Sequence, residues 1–332
     1  MGPFQGYTER IEALEYRMRS LEMGNHTLLN FNPRRTNMVI RMGGIGDLVI
    51  LSASLRALKE KEPWRPLVLA TLHQNLEVLA GADYLDAIIP ITNWNGASFH
   101  RLYDLRWKVE PPGIGEGKLP WLDYCTRDRS DVFDDLMEIK RDSKAKTFGL
   151  SVNHESLQAA YKLMKEFKHP WIALAPTCKS AARSLPLKYI RPLMAGLKKK
   201  YEGTLIVLGK AEVLFGPLKN LGGRNVVNLL DQLTIPEMMA LISIMDAVIS
   251  VDSAPVHIAG ALGVKCLALF GNIDPKTRVS YYPTVKPLWF QNLPCIPCWD
   301  KTDKCERKIE EVGAPCMKQF TPQRIIEAFE CA

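Results

Sequence analysis

Ser250-Val-Asp-Ser-Ala-Pro-Val-His257, continuing through Ile258-Ala-Gly-Ala-Leu-Gly263 to Lys265-Cys-Leu-Ala-Leu-Phe-Gly271, is the stretch that decides the fold. Ala247 to Val251 is an apolar run broken only by Ser250 and reads as a buried parallel strand. Asp252 and Ser253 can each cap a helix, and Pro255 fits a first helical turn. Gly263 stops that helix, and Val264 to Phe270 reads as a second buried strand. Together they form a βαβ unit whose turn points backbone N–H groups at a spot above the strand ends, where a phosphate or pyrophosphate binds. His257 is predicted to project from the first turn, beside the anion. The plainer alternative is a capped helix in a doubly wound protein with nothing bound. It explains less well why several polar groups crowd a position where packing favours none.

Working outward, the chain of 332 residues is long enough for two domains with separate cores. At 47% hydrophobic and 24% charged it is globular, not disordered. No apolar run approaches the ~18 residues that a membrane span needs. The opening Met1-Gly-Pro-Phe-Gln-Gly6 lacks a basic-then-apolar signal pattern, so a cytoplasmic location is expected. A net charge of +7 favours an anionic partner and leaves open nucleic acid, an anionic lipid surface or a phosphorylated substrate. On charge alone mild surface basicity is the better account, and clusters such as Arg34-Arg35 and Lys198-Lys-Lys200 read as solvated faces.

Residues 8–23 place Ile11, Leu14, Met18 and Leu21 at helical spacing, an amphipathic helix too short for a coiled coil alone. The strand Met38-Val-Ile-Arg41 then feeds Gly43-Gly-Ile-Gly46-Asp47 and a helix from Leu48 to about Glu62. Leu67–Ala70 and Ala87–Pro90 read as strands with a helix around residues 75–80 between them. Residues 93–117, rich in Trp, Arg, Gly and Pro, read as long loops. After helices at 131–140 and 155–167, strands resume at Trp171–Ala175 and Thr204–Leu208, separated by a helix at 187–200. The βα alternation appears once in each half, which predicts two doubly wound lobes facing a cleft.

The glycine turn at 43–46 lacks the third glycine of a dinucleotide fingerprint, but it permits close backbone approach to a ligand. Asp47, at the helix start, reads either as a cap or as a general base that takes a proton from a hydroxyl.

Arg41-x-Gly-Gly-Ile-Gly-Asp47 with Leu55-Arg-Ala-Leu58 resembles the opening of the family-9 glycosyltransferases, the lipopolysaccharide heptosyltransferases. Asp252-Ser-Ala-Pro-Val-His257-Ile-Ala-Gly-Ala-Leu-Gly263, followed by Ala268-Leu-Phe-Gly-Asn-Ile-Asp274-Pro275, is similar to that family's second signature. The resemblance covers roughly residues 37 to 330. It implies an α/β GT-B fold of two Rossmann-like lobes: residues 37–168 for the acceptor and 169–332 for the donor, after an N-terminal helix and linker at 1–36. It further implies inverting transfer of a sugar, ADP-heptose-like, to a hydroxyl of a lipopolysaccharide core acceptor, with no metal required for catalysis. By this resemblance Asp47 is the base. Thr177, Arg183, Gly209, Asn228, Asp252, Ser253, Ala254, Pro255 and His257 form the donor site, with Arg183 neutralising the leaving diphosphate. Asn228 stands where the family often has an acidic ribose contact, and Ala254 replaces its usual glycine. Arg101 and Arg106, interleaved with Tyr103 and Trp107, suit an anionic glycan or glycolipid acceptor and read equally well as solvated loop residues; Gly44 and Gly46 are assigned to the same acceptor, reached by peripheral contact with the inner membrane. A modified DNA base as acceptor, or a non-catalytic nucleotide-sugar-binding protein, are the rivals; the oligomeric state stays open.

Cys295-x2-Cys298-x6-Cys305-x10-Cys316 forms a second constellation. Four cysteines in a cytoplasmic protein suit a tetrahedral structural zinc site, and free thiols packed in a loop account for them equally well.

Overall fold

The computed structural model describes residues 32–93, 98–141, 146–209, 218, 221–298 and 313–331. The predicted helix at 8–23 and Cys305 lie outside them. The chain divides into two compact units. The first holds the described residues up to Pro120 and those within 130–142 and 147–151; the second holds the described residues within 121–129 and 143–146, and those from Val152 onward.

In the first unit, β1 (Asn37–Arg41) leads into α1 (Ile45–Lys61), and β2 (Leu67–Thr71), β3 (Ala87–Pro90) and β4 (Arg101–Asp104) follow. They form a parallel four-stranded sheet in the order β3-β2-β1-β4. Every residue of β1 and β2 is buried, the polar Asn37, Arg41 and Thr71 at their ends included, as fits strands covered on both faces. Met38, Ile40, Val68, Ala70 and Ile89 make one face of its core. The helix expected around 75–80 is instead a 3-10 turn at His73–Asn75 with turns after it. β4 emerges from the stretch read as loops. It is an edge strand whose Arg101 and Asp104 break the apolar pattern that identifies a strand by eye.

Next come α2 (Trp121–Thr126), α3 (Arg129–Leu136) and α4 (His154–Met164). In the second unit β5 (Trp171–Ala175), α5 (Leu187–Tyr201), β6 (Thr204–Val207) and β7 (Val226–Asn228) build one wing. The other wing is α6 (Ile235–Ser243), β8 (Ala247–Val251), α7 (Ala254–Ala261), β9 (Cys266–Phe270), α8 (Lys276–Val279), β10 (Val285–Trp289) and α9 (Pro322–Glu330). The sheet is parallel and six-stranded, in the order β10-β9-β8-β5-β6-β7. This is the doubly wound Rossmann order, with its topological switch point between β5 and β8. The corresponding point of the first sheet lies between β1 and β4. Gly263, in the left-handed region at φ +73°, ends α7 as its sequence predicts.

The division of the chain differs from a single boundary at residue 168. α4 packs on α6, and α2 packs on α8, so both belong with the second unit. Among the described residues no helix is long and apolar enough to cross a membrane.

Candidate functional site

The first switch point is assembled from the ends of β1 and β4. Gly44 is the N-cap of α1 in extended backbone, and Asp47 sits in the first helical turn. There its negative charge is favoured by the helix dipole. Its carboxylate is not capping the helix from the N-cap position. It turns back to Arg41, whose Nε donates to Asp47 Oδ2 at 2.5 Å. A Cβ on Gly43 would collide with that carboxylate, so the glycine is required for Asp47 to lie there. The Gly43 carbonyl accepts a bond from Asn75 Nδ2 at 2.7 Å, which pins the turn from the β2 side. Gly44 has no positive φ, and among the described residues no atom lies within 4 Å of an added Cβ. Its lack of a side chain therefore leaves open space over the turn. Gly46 follows in the first turn of α1.

Arg41 is only 2% exposed, and a charge so buried must be paired. Besides Asp47 it donates to both oxygens of Glu110, at 2.5 and 3.2 Å, and to the Leu105 carbonyl at 2.9 Å. Burial pulls the guanidinium toward neutrality, but the attraction of Asp47 and Glu110 outweighs it and holds Arg41 charged, with its pKa raised. Arg106 follows directly after Leu105 and grips Asp104 through two nitrogens at 2.9 and 2.6 Å. Those bonds hold the Asp104 carboxyl below its ordinary range. Arg101 is not brought here. It pairs in register with Asn37 at the opposite end of the strands, where it faces Glu62 and Glu138.

The second switch point gathers residues that follow β5 and β8. Thr177 is buried just beyond β5, and a 3-10 turn at Ala181–Arg183 brings Arg183 to Asp252. Arg183 Nη1 donates to the Asp252 carboxylate at 3.1 Å and to its carbonyl at 3.2 Å. The aspartate side chain is 6% exposed and the arginine 31%. Ser253 is the N-cap of α7, yet its hydroxyl donates to the Val251 carbonyl at 3.1 Å and makes no capping bond. The first turn of α7 thus carries no side-chain cap and no acid, and it contains Ala254 and Pro255. That is the arrangement an anion needs. His257, one turn in, is 5% exposed and stands edge-on to Tyr282, ring centroids 5.9 Å apart. Gly260 lies under the same tyrosine ring, where any Cβ would collide.

Gly209, at φ +117°, ends β6 beside Thr177; an added Cβ would meet the Thr177 carbonyl at 3.3 Å. Asn228 ends β7, and its amide serves the chain itself. Nδ2 donates to Leu218 O at 3.0 Å, and Oδ1 accepts from Leu230 N at 3.2 Å. Cys178, next to Thr177, is no reactive thiolate: burial raises its pKa despite nearby Arg183.

Of the cysteine constellation, Cys295 is exposed, Cys298 is half-buried and Cys316 is buried. Cys298 N donates to Asn272 O at 2.8 Å. Cys316 Sγ lies 3.0 Å from where a Cβ on Gly271 would stand. Both therefore converge on the turn after β9. Among the described residues, no group of three or more His, Cys, Asp or Glu is placed to hold a metal.

Glu110 and Asn75 carry no sequence signal that would mark them as site residues. Glu110 sits in the Trp- and Pro-rich stretch without a motif, and its only signal is an acid preceding Pro111-Pro112.

Residues 121–309, more than half of the chain, match the family described as "Glycosyltransferase family 9 (heptosyltransferase)". A lipooligosaccharide heptosyltransferase 2 of Campylobacter jejuni is 27% identical over 152 residues, 44% of this chain and 46% of that protein. The chain thus matches less than half the length of this relative. The solved structure of E. coli ADP-heptose lps heptosyltransferase II superposes with TM-score 0.69 at 16% identity, over 89% of this chain and 98% of that one. The iron-containing dodecameric glycosyltransferase TibC of enterotoxigenic E. coli gives TM-score 0.65 at 12% identity, over 91% of this chain and 76% of that one. At such identities the structures establish the shared fold, the GT-B class that the sequence motifs implied.

Proposed function

The chain belongs to glycosyltransferase family 9, and from that membership we propose that it transfers a heptose-type sugar from an ADP-linked donor to a hydroxyl of an anionic lipopolysaccharide core acceptor, with inversion at the anomeric carbon. One observation carries the reading: the first turn of α7 is uncapped and flanked by Arg183, at the switch point of a Rossmann sheet. The N–H groups of that turn and the guanidinium receive the diphosphate of the donor, as the helix dipole favours. The donor named for the E. coli structure supports ADP-heptose.

In this mechanism Asp47 accepts the proton of the acceptor hydroxyl as its oxygen attacks the anomeric carbon from the face opposite the diphosphate. The new glycosidic C–O bond forms while the bond to the diphosphate breaks. Negative charge grows on the departing oxygen, and α7 together with Arg183 stabilises it more in the transition state than in the bound donor. The open space over Gly44 and the neighbouring Arg106 suit the acceptor. The reaction takes place on the cytoplasmic side, against the inner membrane.

The test pairs a donor panel with acceptor assays. ADP-heptose is expected to raise the melting temperature where UDP- and GDP-sugars do not, and to label a heptose-deficient core acceptor. Stabilisation by a UDP-sugar alone would reassign the donor; absence of transfer to any core acceptor would reassign the acceptor.

A structural metal held by Cys295, Cys298, Cys305 and Cys316 is a second assignment, favoured by the convergence of Cys298 and Cys316 on the 271–272 turn. Four thiolates suit zinc or iron, and TibC is described as iron-containing. These thiolates would hold the segment after β10 against the turn after β9, and the ion would supply no chemistry to the transfer. Purified protein should carry one equivalent of metal that Cys298→Ser loses; metal-free protein of unchanged melting temperature rejects the assignment.

A further inference from the structure

Arg41 serves two carboxylates at once, and it does so asymmetrically. Glu110 takes the forked side of the guanidinium, Nη2 to Oε1 and Nη1 to Oε2, while Asp47 receives the single Nε–H. Phe133 covers the guanidinium at 5.7 Å from the ring centroid. Glu110 is itself held by its loop. Its carbonyl accepts from Leu119 N at 2.9 Å, and Lys118 N donates to the Trp107 carbonyl at 3.0 Å. Gly117 approaches the Glu110 and Pro111 carbonyls so closely that a Cβ would collide with both. The loop therefore delivers this carboxylate to Arg41 from a fixed backbone, 69 residues along the chain.

A buried guanidinium facing one carboxylate stabilises that anion and makes it a poorer base. A second carboxylate on the same cation offsets this, since the three charges sum to one net negative rather than zero. We propose that Glu110 is a positioning residue for the transfer reaction: it anchors Arg41 through the fork and shares its charge, so that Asp47 is oriented by the Nε–H yet remains an effective proton acceptor. The proposal rests on Asp47 being the base, and its test is arranged so that the two can fail separately.

The variants are Glu110→Gln, which keeps the shape and loses the charge, and Glu110→Asp, which keeps the charge and loses a methylene. Asp47→Asn is the control. Each is assayed with ADP-heptose and acceptor, with donor binding followed by calorimetry. E110Q is expected to leave donor KM within about twofold and to lower kcat by about 10- to 100-fold, part of the range for a general base. E110D should stand above E110Q. Wild-type kcat in E110Q, or E110Q outperforming E110D, overturns the proposal and leaves Glu110 a packing residue. E110Q as inactive as D47N, with donor binding intact, also overturns it by making Glu110 the base. Normal turnover in D47N removes the base assignment itself. Should E110Q not melt cooperatively, Arg41→Lys carries the same test, because an ammonium cannot serve a fork and a third partner together. A fall in kcat at unchanged donor KM supports the proposal, and wild-type kcat overturns it.

Discussion

The two switch points share a backbone plan and differ in what occupies the first helical turn. At the end of β1, α1 opens with Asp47 in its first turn, and Arg41 is buried there between two carboxylates. At the end of β8, α7 opens with no acid, and Asp252, just ahead of it, is tied to an arginine that keeps nearly a third of its side chain in solvent. One end is thus left negative and the other receptive to an anion. The comparison teaches that a helix N-terminus in an α/β fold acquires its chemistry from a few neighbouring side chains. The fold alone does not assign base and cradle.

Exchanging charge for shape at each end should break this contrast. The largest effect is expected from Asp47→Asn, which should lower kcat by about 10²- to 10⁴-fold, the usual share of a general base, while ADP-heptose still binds. Turnover close to wild type in a radiolabelled transfer assay would remove Asp47 from the chemistry. Arg183→Ala comes next. Loss of a charge-assisted contact to the diphosphate should weaken ADP-heptose binding by about 10- to 100-fold, roughly 1.4–3 kcal/mol. Calorimetry giving an unchanged Kd would show that the cradle works without it.

The glycines sharpen the same comparison. Gly43→Ala must push the Asp47 side chain off its bond with Arg41, since the added methyl occupies the same space. About a tenfold fall in kcat with donor KM kept is expected, within the range of misplaced catalytic groups. Gly44→Ala meets no atom of the described residues, so its melting temperature should match wild type, and any lost activity reports a ligand passing over the turn. The smallest effect belongs to Ser253→Ala. An N-cap serine usually contributes ~0.5–2 kcal/mol, but this hydroxyl caps nothing, so the change in urea unfolding should fall below ~0.5 kcal/mol. A cost near 2 kcal/mol would mean that Ser253 caps α7 in solution.

Much of this was legible in the sequence where the local signal is dense. β8, α7 and β9 stand out because two largely apolar strands bracket a turn with cap-type residues and a proline, and each piece is contiguous. Glu110 was not legible, because its partner Arg41 lies 69 residues away and no local pattern marks the pair. Arg101 and Arg106 look equivalent as neighbouring cations among aromatics, yet a four-residue strand separates them. β4 starts at Arg101 and ends at Asp104, just before Arg106, so Arg106 reaches the end of the sheet that carries Asp47 and Arg101 stays at the far end. Position in the family motif alone puts Asn228 at the ribose, and the bonds to Leu218 and Leu230 add a structural use of its amide that no local pattern marks.

The allegiance of Trp121–Arg129 has a practical side for anyone who wishes to dissect or hybridise this molecule. Arg278 of α8 lies over the Tyr124 ring at 5.2 Å, and Ser280 N donates to Asp128 at 3.3 Å. A fragment begun at residue 169 would therefore lose both partners along with α4, exposing apolar surface that they cover. Swapping donor halves between relatives at that junction would graft a foreign helix onto α8. An exchange that carries residues 121–129 with the C-terminal portion keeps these native neighbours together.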